Sequence, residues 1–468
     1  MKNFCVIFLL FFCKMIFSQN YFVDTLLIYL NQPVDFAMVP NTSKVFVNIK
    51  GGDMGLYDYN SGTLLSVFWK LEDSLLNVNE FGLLGVCLDP DYSSNHYVYS
   101  FYQHSYPPNS NQNLKTRLVR FTDVNNYGTD PKIILDIPAT EYTTIHAGGI
   151  IKFNPLDPGK IFAFIGNHAN NLNSQALNNP YGKMIRINKD GTIPNDNPFY
   201  DDGNPLTGND DRIWSYGHRN SFGFCFGPDG KLYESENGAN YYDECNYIVA
   251  GKNYGWNLCE GYCEPHNPLY KQPMAVFTPF GGLPALTGII YYNSNTMPWL
   301  NNKLIIASSS SNSVSYLYQC ELNPAMDSII SKSMMLNYKS ITSLTMGNDG
   351  YIYALLGGYT GNGKFFRIRP NLTGINIQHF PAGYSLSQNY PNPFNPVTSI
   401  KYEIPISSLV TLKIYNALGM ELTTLVNETK QRGRYEASWD ASNFPSGVYF
   451  YEMTAGEFTE RKKMVLIK

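Results

Sequence analysis

Pro228-Asp229-Gly230-Lys231-Leu232-Tyr233 is a tight polar turn that runs straight into a strand. Gly supplies the backbone conformation that other residues avoid, and Pro and Asp suit the positions beside it. The same phrase recurs as Pro40-Asn41-Thr42-Ser43-Lys44-Val45-Phe46, Asp91-Tyr92-Ser93-Ser94-Asn95-His96-Tyr97-Val98-Tyr99 and Pro158-Gly159-Lys160-Ile161-Phe162. Two later copies are Asn301-Asn302-Lys303-Leu304-Ile305 and Asn348-Asp349-Gly350-Tyr351-Ile352-Tyr353. Each sets an aliphatic residue near the start of its strand: Val45, Val98, Ile161, Leu232, Leu304 and Ile352, spaced 48 (304 to 352) to 72 (232 to 304) residues apart. That is room for one four-stranded sheet per copy with its loops. Sheets repeated around an axis leave few exposed edges, which is the propeller design. The six echoes therefore predict an all-β chain with a six-bladed β-propeller over residues 21–370. Six hairpins in unrelated sheets are the competing reading. No long stretch has helical periodicity.

Composition agrees with strands. The 468 residues include 36 Tyr, 38 Gly and 28 Pro, and only 15% are charged, against about 25% in an average soluble chain. Aromatic residues favour strands, and Gly and Pro punctuate them. A net charge of −4 offers no basic face, so no nucleic-acid partner is expected. Lys2, the apolar run over residues 6–12 and the Ser18-Gln19 step read as a signal peptide over 1–18. Lys14 interrupts the run, and a spanning helix needs about 20 apolar residues. No transmembrane segment is expected in the mature chain, which should leave the cytoplasm. Beyond the leader, six cysteines remain: Cys87, Cys225, Cys245, Cys259, Cys263 and Cys320. Four of them fall within 225–263, so a local disulfide is expected in an oxidising compartment. A zinc site at Cys259-x3-Cys263 lacks the second ligand pair it would need.

The composition changes after Arg369-Pro370. Residues 371–383 read as a linker and 384–468 as a second domain. Its lead-in, Asn389-Tyr390-Pro391-Asn392-Pro393-Phe394-Asn395-Pro396, carries three closely spaced prolines that exclude a central strand. Alternating runs follow at Thr398–Ile404, Val410–Tyr415, Gly447–Tyr451 and Lys463–Ile467, which predicts a small antiparallel β-sandwich. With Ile414-Tyr415-Asn416-Ala417-Leu418-Gly419, Trp439-Asp440 and Pro445-Ser446-Gly447-Val448-Tyr449, the tail resembles the C-terminal sorting domain of the type IX secretion pathway. The resemblance implies the type IX secretion machinery as a partner, and a secreted or outer-membrane cell-surface location. A carbohydrate-binding sandwich is the alternative. It would need an exposed aromatic platform, for which Trp439 is the candidate.

Two regions could carry chemistry. His146 lies in Ile145-His146-Ala147-Gly148-Gly149, where small neighbours leave room for a flat ligand against the imidazole, the side chain best suited to take a proton near neutral pH. A turn-stabilising histidine is the plainer reading. The second region runs from Tyr216-Gly217-His218-Arg219-Asn220 through Glu236-Asn237-Gly238-Ala239-Asn240-Tyr241-Tyr242-Asp243-Glu244 to Asn253-Tyr254-Gly255-Trp256. It joins a fixed cation, amides, two adjacent acids and glycine carbonyls, and hard oxygens of this kind suit Ca²⁺. A polar loop with an ordinary ion pair is the alternative.

Glu80-Phe81-Gly82-Leu83-Leu84-Gly85, His146-Ala147-Gly148-Gly149, Tyr181-Gly182-Lys183-Met184-Ile185-Arg186-Ile187-Asn188, Ile213 to Asn220, Asp243-Glu244-Cys245-Asn246 and Asn253-Tyr254-Gly255-Trp256 occur in that order. Together, over roughly residues 30 to 370, they resemble the soluble glucose/sorbosone dehydrogenases, the aldose sugar dehydrogenases. The resemblance implies a six-bladed propeller that binds pyrroloquinoline quinone (PQQ) and Ca²⁺ and oxidises a small sugar. It implies His146 as base and Arg219 with Asn220 as the groups polarising the quinone. Asn237 would line the cofactor pocket and Glu80 the substrate side. Carbonyls of Gly238 and Ala239 would hold the cofactor's calcium, and Asp243, Glu244 and Tyr254 a second, structural one. The sequence departs from the family at Asn167, where an acid is usual, at Ala239, where proline is usual, and at Ser310, Ser340 and Thr342, where cations are usual. Lys339 is the nearby substitute. A propeller of the same lineage that binds a glycan or protein without catalysis is the alternative function.

Overall fold

In the computed structural model the described residues are 21–139, 143–263, 267–278, 285–309, 316–337, 340–357, 362–371, 384–404, 408–430, 433–456 and 458–468. The expected leader 1–18, nearly all of the linker, Ser310 and Lys339 lie outside them. The chain divides into two compact units, residues 1–371 and 372–468.

The first unit holds six four-stranded antiparallel sheets. The first sheet is Pro33–Met38, Lys44–Ile49, Asp53–Asp58 and Thr63–Lys70, and the second is Leu83–Leu88, Tyr97–His104, Lys115–Val124 and Tyr127–Pro138. The third is Gly148–Asn154, Asp157–Ile165, Lys183–Asn188 and Ile213–Tyr216, and the fourth is Ser221–Phe226, Leu232–Glu236, Asp243–Ile248 and Ala275–Phe277. The fifth is Leu286–Tyr292, Lys303–Ser308, Tyr316–Leu322 and Ile329–Asn337. The sixth takes Ile341–Met346, Ile352–Leu356 and Gly363–Pro370, then borrows Tyr21–Leu30 from the start of the chain as its outer strand. The first strand of each sheet lies against the first strand of the next, and the sixth returns to the first. This is the β-propeller arrangement.

Each of the six sequence echoes opens the second strand of one sheet. Val45, Val98, Ile161, Leu232, Leu304 and Ile352 are all buried there. Polar side chains stitch the first strands together around the ring. Asp35 of the first sheet accepts from Ser343 Oγ of the sixth (2.6 Å) and from the Val86 N–H of the second (3.0 Å). Between the third and fourth sheets, Asn220 Oδ1 accepts the Gly148 N–H (3.2 Å). Buried backbone and side-chain groups must find such partners, because each one left alone costs free energy.

The second unit has a three-stranded sheet (Ser385–Leu386, Val397–Ile404, Gly433–Asp440) and a four-stranded one (Glu421–Lys430, Ser408–Tyr415, Gly447–Ala455, Phe458–Leu466). Ile400, Tyr402, Leu412, Ile414, Tyr451 and Met464 share its apolar core. Trp439 is 3% exposed and packs against Phe394, Phe444 and Tyr449. It is a core residue, which removes the aromatic platform that a carbohydrate-binding reading needed. The proline lead-in docks on the last strand, where Phe394 exchanges backbone hydrogen bonds with Val465 and Ile467 (3.0 Å each).

Candidate functional site

Strand direction decides where chemistry collects. Residues just before a first strand and just after a second strand emerge at the same end of their sheet. Glu80, His146, Arg219 and Asn220 are of the first kind, and Lys50, Asn167 and Asn237 of the second.

His146 is buried and left-handed, with φ of 60°, a conformation that costs a non-glycine residue free energy and recurs at functional sites. Its backbone N–H is held by Glu80 Oε2 at 2.7 Å, and the same oxygen takes Asn220 Nδ2 at 3.0 Å. Three sheets thus meet on one carboxylate. The turn also needs the neighbouring glycine, because a Cβ on Gly166 would lie 2.0 Å from the His146 carbonyl oxygen. Asn167 Oδ1 is 2.7 Å from His146 Nδ1 and also accepts the Ala169 N–H at 3.1 Å. An amide oxygen accepts only, so Nδ1 carries the proton and Nε2 keeps its lone pair. Among the described residues Nε2 has no hydrogen-bond partner. Burial, then the charge of Arg219, lower the His146 pKa to about 4, against the Asn167 hydrogen bond that raises it. The imidazole is therefore neutral over most of the pH scale. Burial raises the Glu80 pKa, although hydrogen bonds from His146 and Asn220 oppose the rise.

Arg219 donates from Nη1 to the Asn237 carbonyl oxygen at 3.0 Å and sits 5.4 Å from the Trp256 ring centre. Its backbone N–H goes to Glu236 Oε1, and its carbonyl accepts the Asn167 N–H at 2.9 Å. The buried Asn237 Oδ1 has no hydrogen-bond partner among the described residues. Below Arg219, His218 stacks on Tyr254 at 4.6 Å and lies 3.1 Å from Glu236 and 3.3 Å from Glu234. Burial disfavours its charge, yet the two carboxylates carry its pKa up to about 10.

The loop after Asn237 is shaped by a residue that sequence reasoning missed. Glu260 Oε1 accepts the N–H groups of Ala239, Asn240, Tyr241 and Tyr242 at 2.9 to 3.1 Å. Glu260 lies inside the five-residue loop closed by the Cys259–Cys263 disulfide, and Glu244 accepts the Gly261 N–H of that loop. The expected local disulfide is therefore this pair, and Cys87, Cys225, Cys245 and Cys320 are free thiols. Among the described residues nothing donates to the carbonyls of Gly238 and Ala239. A Cβ on Gly238 would meet the Tyr242 carbonyl oxygen at 1.8 Å, so only glycine fits there.

The structure separates Asp243 from Glu244. They are successive strand residues and point to opposite faces. Asp243 accepts the N–H groups of Gly238 and Leu286 at 3.0 Å each, tying the fourth sheet to the fifth, and burial pushes its pKa up to about 6. Glu244 turns to Gly261 and Asn246, and burial with the nearby Glu236 raises its pKa. The Tyr254 hydroxyl is engaged by Tyr247 O (2.6 Å) and Val249 N–H (2.9 Å). The hydrogen bonds of these three side chains go to different partners. Of the departures, Thr342 donates to Leu355 O at 3.3 Å, while Lys50, buried at the same end of its sheet as Asn167, donates to Asn77 Oδ1 at 2.7 Å.

Comparison with known proteins reaches the same region. The family model for glucose/sorbosone dehydrogenase matches residues 30–367, and that for the secretion system C-terminal sorting domain matches 388–468. Quinoprotein glucose dehydrogenase B of Acinetobacter calcoaceticus is 30% identical over 266 residues, covering 52% of this chain and 54% of that protein. Aldose sugar dehydrogenase YliI of Escherichia coli is 26% identical over 359 residues, covering 74% and 92%. The apo form of the soluble aldose sugar dehydrogenase from Escherichia coli superposes with a TM-score of 0.64 at 24% identity, covering 75% of this chain and 100% of that one. The PQQ-bound aldose sugar dehydrogenase from Streptomyces coelicolor does so with 0.62 at 22% identity, covering 76% and 99%. At these identities the superpositions speak for the fold alone.

Proposed function

We propose that this chain, which belongs to the glucose/sorbosone dehydrogenase family, oxidises aldose sugars at the anomeric carbon outside the cytoplasm, with PQQ as hydride acceptor. The six sheets are read as six blades and the two tail sheets as a sandwich. The sorting domain supports secretion or cell-surface attachment, with the type IX machinery as the partner that reads the tail.

The observation that carries the proposal is a neutral His146 whose Nε2 has no hydrogen-bond partner among the described residues while Nδ1–H is fixed by Asn167. A base needs that lone pair within reach of the substrate proton. His146 Nε2 would take the proton of the anomeric hydroxyl. Glu80 holds the backbone that aims the ring, and Asn220 holds Glu80. Arg219 supplies a fixed positive charge and adds to the burial that keeps His146 neutral.

The residues present fit the family's cofactor. Among the described residues Asn237 Oδ1 is buried without a hydrogen-bond partner and nothing donates to the Gly238 and Ala239 carbonyls, while Glu260 fixes their loop. Asn220, Asn237 and Arg219 would hold the quinone, which supplies a two-electron acceptor when bound, and the two carbonyls would hold its Ca²⁺. Lys50 is the further cation that would face its carboxylates in place of the cations absent at Ser340 and Thr342. Those two neutral residues favour the second reading, a ring that binds a glycan or protein without catalysis.

The test is to add PQQ and Ca²⁺ to the purified chain, then aldoses and a redox dye. Dye reduction abolished by His146→Ala is the expected result. No reduction, together with no heat of PQQ binding in calorimetry, overturns the proposal and leaves the binding reading.

A further inference from the structure

The loop between strands Lys183–Asn188 and Ile213–Tyr216 of the third sheet contains Asp201-Asp202-Gly203-Asn204-Pro205-Leu206-Thr207-Gly208-Asn209-Asp210-Asp211. One carboxylate oxygen from each of Asp201, Asp202 and Asp211 falls within 4.8 Å of the others. Acidic loops are common, and proximity alone would mean little.

Two further facts set this one apart. Asp211 is 0% exposed, and its Oδ2 has no hydrogen-bond partner among the described residues. Its other oxygen accepts the Asp201 N–H, which turns the carboxylate towards Asp201. The nearby cations are also already paired: Arg186 with Asp196 and Arg212 with Asp210 (2.6 Å). Among the described residues no Lys, Arg or His nitrogen forms an ion pair with Asp201, Asp202 or Asp211. A buried carboxylate oxygen with neither proton donor nor counter-charge is costly. A cation bound among the three would remove that cost.

The geometry points to a divalent-cation site formed by Asp201, Asp202 and Asp211, of the Ca²⁺ type. All-oxygen carboxylate ligands select hard cations over zinc or copper. Two exposed ligands in a loop tolerate the loose geometry and retained waters that calcium accepts and magnesium resists. An exported chain meets calcium at concentrations that sites of modest affinity, Kd on the order of 10⁻⁴ to 10⁻³ M, can use. The ion would pin the loop to the strand Ile213–Tyr216, which runs directly into His218, Arg219 and Asn220. Its place and ligands are independent of whether the ring binds a quinone.

The full chain, stripped with chelator, is titrated with Ca²⁺ in a calorimeter, and bound calcium is counted after equilibrium dialysis. Asp211→Asn and Asp202→Asn are treated the same way. The expected result is one fewer bound ion in each variant, or at least a tenfold loss of affinity for it. Calcium should also protect residues 201–211 from limited proteolysis in wild type and not in the variants. Asp202 is exposed, so Asp202→Asn decides the matter if Asp211→Asn does not fold. Equal stoichiometry and affinity in wild type and Asp202→Asn, or a loop cleaved at the same rate with and without calcium, overturns the site.

Discussion

Both units are built from antiparallel strands, yet they bury opposite chemistry. At one end of its sheets the ring encloses Lys50, His146, Asn167, His218, Glu234 and Glu236, with Glu80 half-buried beside them. In the tail the buried polar side chains among the described residues are Asn389 and Thr398, and both hold the proline lead-in. Buried charge must be matched group by group, whereas apolar packing needs only shape. Among the described residues of the ring, Nε2 of His146 and Oδ1 of Asn237 have no hydrogen-bond partner. Among the described residues the tail shows no buried polar side-chain atom without a partner.

The contrast can be broken most sharply by His146→Ala. If the base reading holds, dye reduction should fall by about 10²-fold or more while the melting temperature stays near wild type. An equal loss of both would make His146 structural and erase the difference between the units. The opposite pattern is expected in the tail. Trp439→Ala removes an indole packed on three aromatic rings and should cost about 3–5 kcal/mol, read as an earlier unfolding transition of the tail. Turnover of the ring should be unchanged.

Glu260→Gln sharpens the comparison within the ring. One charged acceptor now serves four N–H groups, and charged hydrogen bonds are worth roughly 1.5–3 kcal/mol. Calorimetry should show weaker calcium binding with the fold retained by circular dichroism. The smallest effect at neutral pH concerns protonation. The His146 pKa is lowered to about 4, so the base is neutral above that value and activity should fall only as pH drops through it. Asn167→Asp places a negative charge on Nδ1, which favours the imidazolium and should move that acid limb upward by roughly 1–3 units. A pH–rate profile of kcat/KM checks the direction.

Much of this is legible in the sequence. The turn-into-strand phrase is a local signal, and all six copies fall on second strands because a hairpin turn and the strand after it are specified by adjacent residues. His146, Arg219, Asn220 and Asn237 stood out because a histidine or an arginine flanked by glycine and amides is unusual at short range. Glu260 did not, because its four partners lie 18 to 21 residues away and the disulfide loop that carries it reads as a candidate metal pair. Lys50 was passed over because a lysine beside two glycines resembles any exposed turn. The separation of Asp243 from Glu244 follows from strand pleating alone, and the adjacent acids were read as a pair before the strand was placed.

The strand Tyr21–Leu30 sits at the outer edge of a sheet whose other members are the last three of the ring. A chain emerging from N-terminus to C-terminus therefore carries an unpaired, partly apolar edge until some 340 further residues have followed it, as the register Tyr21 to Pro370 requires. Such an edge is a template for pairing with other chains. An export route that delays folding until synthesis is complete would keep that first strand from finding the wrong neighbour.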